Sequence, residues 1–214
     1  MNKIQLIHTL PNVFQSRTDI VSDIWKQDVT FEKGKRYLVE ANSGTGKSSL
    51  CSYIYGYRHD YQGQILFDGE DIRRYAVAKW TDIRKNHFAL LWQELRMFPE
   101  LTALENVQIK NCLTRFQKKK QILEWFDMLG ITEKLNAKVE CLSYGQQQRV
   151  ALVRALCQPF DFLLLDEPIS HLDDSNSEIM ERVVMAEVKR QGAGVIATSI
   201  GKRIELPYDQ VFNL

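Results

Sequence analysis

Cysteine and proline are scarce in this chain, at four and five of 214 residues. No two of the cysteines (Cys51, Cys112, Cys141, Cys157) form a C-x-x-C pair, which argues against a zinc site. Their apolar or helical settings predict reduced, mostly buried thiols. A long apolar run is also missing: none approaches the roughly 20 residues that cross a bilayer. The segment Met1–Gln5 has no signal-peptide core, so work at a membrane would need membrane segments from a partner. Neither sign of charge dominates, with 28 basic and 27 acidic residues and a net charge of +1. That balance gives no electrostatic reason to expect nucleic acid or an anionic membrane surface as a partner. The one basic run, Lys118-Lys119-Lys120, reads as a solvated helix face. Internal repeats and low-complexity linkers are absent. What remains is enough chain for one α/β domain that buries its own core without disulfides or structural metal.

The order of patterns supports that class. Ile4–His8, Ile24–Phe31 and Arg36–Glu40 read as strands, and a helix begins at Gly46. Gln64–Phe67, closed by Asp68-Gly69, and Phe88–Trp92 read as further strands. From about Glu94 to Cys141 the character becomes helical. Thr102 and Glu105 have capping-box spacing, and Lys119–Leu129 carries Ile122, Trp125, Phe126 and Leu129 at helical intervals before Gly130. A helix follows from Gln146 to about Cys157, then the nearly all-apolar run Phe160–Leu165, typical of a central parallel strand. Ser175-Asn176-Ser177-Glu178 could cap the next helix, and Gly194–Thr198 and Gln210–Asn213 complete the sheet. The expected architecture is a mainly parallel core sheet with an antiparallel β edge. Residues 1–93 and 142–214 form the core, and a small helical subdomain is inserted over about 94–141.

Two constellations carry chemistry. Ala41-Asn42-Ser43-Gly44-Thr45-Gly46-Lys47-Ser48 lies between a strand and a helix, as a phosphate-binding loop requires. Its glycines let the backbone wrap a phosphate and the helix N-terminus adds positive potential. Lys47 would bridge β- and γ-phosphates, and the Ser48 hydroxyl would bind Mg²⁺. The motif's first glycine is replaced by Ala41, which serves if φ is negative there. Further on, Phe162-Leu163-Leu164-Leu165-Asp166-Glu167-Pro168 places two carboxylates at the end of an apolar strand. Asp166 would hold Mg²⁺ through water, and Glu167 would polarise the attacking water.

The segment Leu142-Ser143-Tyr144-Gly145-Gln146-Gln147-Gln148-Arg149 resembles the signature of ABC ATPases. The order of phosphate loop, Gln93 after a strand, signature, acidic pair and Ser170-His171-Leu172-Asp173 is similar to an ABC cassette over essentially the whole chain. The resemblance implies a head-to-tail dimer, with a second ABC subunit, that sandwiches two Mg-ATP between phosphate loop and signature. It implies ATP contacts from Asn42, Ser43, Gly44, Thr45, Gly46, Lys47, Ser48 and Ser49. Ser143, Tyr144, Gly145 and Gln146 would reach the partner's nucleotide. Gln93 would sense the metal, Asp173 would act as the D-loop residue, and Phe14 would stack on adenine. Phe14 is placed by spacing alone, 20 residues before Gly34, and an ordinary core or surface phenylalanine is the other reading.

The pattern breaks twice. Tyr144 stands where the signature usually has glycine, so its ring must point away from the nucleotide. Ser199 stands where a histidine normally contacts the γ-phosphate, and no histidine follows His171. A serine hydroxyl has shorter reach and no charge, so the expected hydrolysis is slow or depends on a partner with a complete site. His171 reads as a surface residue. The stretch from Gln93 to Val107 looks like that of lipoprotein-release, macrolide-export and cell-division cassettes (LolD, MacB and FtsE types). This branch implies an integral membrane permease as partner and a place on the cytoplasmic face of the membrane. Met97, Phe98, Leu101 and Leu104 either form a groove for a partner helix or pack the helical subdomain.

Overall fold

The computed structural model describes residues 1–42, 44–169 and 172–214. Two sheets carry the chain. The first is antiparallel, in the order β2 (Asp28–Glu32), β1 (Lys3–Pro11), β4 (Tyr61–Phe67) and β5 (Glu70–Asp71). The second is wholly parallel, in the order β6 (Phe88–Leu91), β7 (Phe162–Asp166), β8 (Gly194–Ser199), β3 (Arg36–Glu40) and β9 (Gln210–Asn213).

Alternation of side chains along the parallel strands divides the core in two. Leu38, Leu163, Leu165, Val195 and Ala197 point to one face. They join the buried positions of α3 (Ala103–Asn111), α4 (Lys119–Met128), α5 (Tyr144–Leu156) and α6 (Asp174–Gln191). Tyr37, Val39, Phe162, Leu164 and Ile196 point to the other face, where α1 (Lys47–Ile54), α2 (Val77–Asn86) and the antiparallel sheet cover them. β7 and β8 are buried at every position, which is why they read as continuous apolar runs. β2 alternates exposed and buried, as a strand with one solvated face does. Asp161 fastens the two sheets. It accepts hydrogen bonds from the Met1 amine at 2.6 Å, from His87 Nδ1 at 2.5 Å and from Lys33.

Several expected boundaries move. The strand expected from Ile24 starts at Asp28. Ile24 and Trp25 donate their amides to the Ser22 hydroxyl, and Lys26 has φ +63°, so the segment turns before it extends. β7 starts at Phe162 and α5 already at Tyr144. α6 is capped by Asp173, whose Oδ1 accepts from Asn176 N–H at 2.9 Å, and Ser175 lies inside the helix. Of the four thiols only Cys51 and Cys157 are buried; Cys112 and Cys141 are exposed. Among the described residues no helix is long and apolar enough to cross a membrane.

Candidate nucleotide-binding site

The parallel sheet brings the site together at one edge. β3, β8, β7 and β6 run in the same direction, and their C-terminal ends deliver the phosphate loop, Ser199, the Asp166–Glu167 pair and Gln93. Open α/β sheets place ligands at this edge. A groove of about 500 Å³ opens there, walled by Phe14, Arg17, Gly44, Lys47, Gln93 and Glu167.

The loop after β3 is shaped by its glycines. Gly44 and Gly46 have φ of +80° and +103°. A Cβ on Gly46 would come within 3.1 Å of both Phe14 and Trp25, so a side chain there would crowd these rings and strain a backbone at positive φ. The Trp25 indole donates to the Thr45 carbonyl at 3.0 Å, and the Thr45 hydroxyl donates to the Asn42 carbonyl at 2.9 Å. Ala41 is not among the residues with positive φ, so alanine carries no strain at the position where the motif has glycine. Ser43, Ser170 and His171 lie outside the described residues.

Lys47 opens α1 and is buried. Its ammonium donates to the Asn42 carbonyl at 3.0 Å and to the Ala41 carbonyl at 3.4 Å, and lies 3.8 Å from Glu167 Oε1. Burial pulls its pKa below the usual lysine value, and the charges of Glu167 and Asp166 only partly oppose that. Gln93 donates from Nε2 to Glu167 Oε2 at 3.1 Å. Glu167 itself has φ +50°, an uncommon conformation for a side chain of this size. Its amide is held by the Thr198 hydroxyl at 3.2 Å.

Asp166 is 1% exposed. Burial pushes its carboxyl pKa up, against the pull of hydrogen bonds from Thr198, at 2.9 Å, and from Ser48. A buried carboxylate whose ionised form is disfavoured, beside a serine hydroxyl, fits a divalent cation. Among the described residues no cluster of three or more His, Cys, Asp and Glu could hold a metal ion, so a cation here would take other ligands from phosphate and water. Ser49 accepts at Oγ from Arg58 at 3.0 Å.

The remaining expected residues divide between the groove and elsewhere. Phe14 is buried beside the loop, with the Arg17 guanidinium 5.0 Å above its ring. The Ser199 hydroxyl donates to the Lys202 carbonyl at 2.8 Å, within its own turn. Asp173 keeps both carboxylate oxygens on Asn176. Ser143 and Gln146 form a reciprocal capping box at the start of α5, and neither they nor Tyr144 and Gly145 wall the groove. The Tyr144 hydroxyl instead donates to the Gln93 carbonyl at 2.6 Å.

Three further residues act on the site. Thr198 holds both members of the acidic pair. Gln148, buried in α5, donates to the Pro168 carbonyl at 2.5 Å. Lys202 reaches the Leu172 carbonyl at 2.6 Å and Asp174 at 3.0 Å. A threonine at a strand end, an internal helical glutamine and a surface lysine carry no local signal of these contacts.

The ABC transporter family profile matches residues 26–170. An ABC transporter ATP-binding protein of Bacillus subtilis (strain 168), YclH, is 33% identical over 181 residues, covering 83% of this chain and 79% of its own. The lipoprotein-releasing system ATP-binding protein LolD of Syntrophotalea carbinolica is 30% identical over 201 residues, covering 92% and 87%. A solved dimer of the ATP-binding cassette MJ0796, in a post-hydrolysis state bound to ADP and Pi, matches with a TM-score of 0.76 at 25% identity, over 92% of this chain and 87% of that one. With a phosphate loop, an acidic strand end and a capped signature helix on a parallel sheet, and with these relatives spanning most of its length, the chain belongs to the ABC transporter family as one of its ATP-binding cassettes.

Proposed function

We propose that this cassette binds and hydrolyses Mg-ATP and converts ATP-driven closure on a second ABC subunit into work by a membrane partner. The observation that carries the reading is that Lys47 and Glu167 wall one groove 3.8 Å apart, with the buried Asp166 carboxylate close enough behind them to act on the Lys47 charge. The loop amides and the N-terminus of α1 suit the phosphates. Lys47 takes the β- and γ-phosphates, and in doing so moves its charge from Glu167 to the nucleotide. Glu167 then accepts a proton from the attacking water, with Gln93 orienting its carboxylate. Asp166, Ser48 and Gln93 would hold Mg²⁺, which would supply positive charge against that developing on the phosphates. Phe14 stacks on adenine once Arg17 leaves its ring. Ser143 and the Gly145 amide face the nucleotide of the other subunit, and Asp173 reaches across after release from Asn176. Because these signature residues lie off their own groove, one chain alone leaves the γ-phosphate uncovered.

Residues 94–141 serve as the helical subdomain in this reading. Phe98 is half exposed, and Met97 and Leu104 are partly buried against the core, which suits a groove for a cytoplasmic helix of a permease. A lipoprotein-release or macrolide-export type of complex at the cytoplasmic face of the membrane fits this arrangement.

A second reading is favoured by Ser199, whose only donor proton is committed to Lys202. In it, ATP closes the dimer and hydrolysis contributes little. Phosphate release by the purified chain separates the two. The first reading expects Mg-ATP turnover that Glu167→Gln reduces at least about a hundredfold. Turnover equal in the two proteins, with ATP still driving dimerisation, would support the second.

A further inference from the structure

α5 is bound to the loop after β6 at two points ten residues apart. At its first residue the Tyr144 hydroxyl donates to the Gln93 carbonyl at 2.6 Å. Near its last turn the Arg154 guanidinium donates to the Arg96 carbonyl at 2.8 Å and to the Leu95 carbonyl. The loop between is a tight one, with Leu95 and Arg96 at φ +58° and +49°, so its carbonyls are aimed by backbone geometry that side chains rarely favour. Gln93 in turn donates to Glu167, which faces Lys47. One connected path therefore runs from the signature end of α5 through Gln93 to the carboxylate and the ammonium that meet the nucleotide. A glycine at position 144, as related signatures have, could not make the first link, because it has no side chain to span the gap.

We propose that Tyr144 is a positioning residue: its hydroxyl sets the orientation of the signature helix against Gln93 within one chain. Phosphate that draws Lys47 and Gln93 away from Glu167 re-aims the Ser143 end of α5 toward the second subunit. The side chain that departs from the signature thus supplies a coupling in cis, and the trans contact is left to Ser143 and the backbone. This rests on the nucleotide reading given above.

The test compares Tyr144→Phe, which removes only the hydroxyl, with its parent, both carrying Glu167→Gln so that ATP is not consumed. Nucleotide affinity is measured at chain concentrations too low for dimers, dimerisation by sedimentation with Mg-ATP, and amide exchange over residues 93–96. Tyr144→Phe should weaken ATP-driven dimerisation about fivefold, the factor one hydrogen bond carries. It should speed exchange at 93–96 and leave single-chain nucleotide affinity within about twofold. Unchanged dimerisation overturns the proposal. So does a loss of nucleotide affinity and thermal midpoint in parallel with dimerisation, since that is what a purely structural tyrosine gives. A parent that binds no nucleotide overturns the functional reading and this proposal with it; a parent that binds and dimerises while the variant matches it overturns this proposal alone.

Discussion

Asp166 is buried at a cost to the nucleotide-free fold. Its pKa is raised by burial, so its stabilising contribution is complete only below the unfolded value near 3.9 and is lost as pH rises through the folded value. At neutral pH without Mg²⁺ the ionised carboxylate therefore destabilises the protein. Asp166→Asn keeps an acceptor for Thr198 and removes the charge. It should raise the thermal midpoint by about 2–4 °C at pH 7, with the gain shrinking toward pH 4, and abolish Mg-dependent hydrolysis. Thermal scans without Mg²⁺ from pH 4 to 8 check this, and a lowered midpoint at pH 7 speaks against it. Ser199 gives the opposite kind of test. Ser199→His restores a donor long enough to leave its own turn, so phosphate release should rise at least about tenfold; an unchanged rate would mean that the serine is not what limits turnover. Lys47, Asp166 and Glu167 were legible because each sits in a local pattern of strand, loop and charge. Thr198, Gln148 and Lys202 were not, since their partners lie 32, 20 and 30 residues away in the chain. No local spacing records such a contact, and Tyr144's bond to Gln93, 51 residues away, is hidden for the same reason.

Helix starts were the elements most clearly written in the sequence, where the cap is a matter of adjacent residues. Thr102 accepts from the Glu105 amide at 3.2 Å, and Glu105 returns a carboxylate to the Thr102 amide at 2.8 Å. Thr102→Ala should cost about 1 kcal/mol in urea unfolding, with nucleotide affinity unaffected because α3 lies outside the groove. A change below about 0.3 kcal/mol would show that the cap is not holding α3. The signature helix uses the same device with Ser143 and Gln146, yet its start was expected two residues late, since Tyr144 is not a residue that marks a first turn. α6 had two local options for its cap, Ser175 and Asp173, and Asp173 takes it through Asn176. The expected strand over Ile24–Phe31 failed at its start because apolar residues in a turn, Ile24 in the core and Trp25 against the phosphate loop, are buried and carry the same hydrophobic signal as a strand.

At the scale of the whole molecule, the order β6-β7-β8-β3-β9 gathers pieces that lie far apart in the chain, from Lys47 to Ser199, along one sheet edge. The class of fold was readable from the alternation of strand and helix. The strand order was not, because nothing local says that β8 inserts between β3 and β7. That insertion carries Thr198 to the acidic pair and Ser199 beside the phosphate loop, where the Ala41 amide donates to its carbonyl at 3.2 Å. The signature stands off the groove, so in the proposed function a single chain supplies the phosphate and cation groups and leaves the γ-phosphate face to its partner. Calorimetric titration of the purified chain with Mg-ATP, alongside Lys47→Ala, tests this most directly. One nucleotide should bind per chain, with at least about a tenfold loss of affinity in Lys47→Ala. Absence of binding by the wild-type chain, or equal binding by the two proteins, would contradict it.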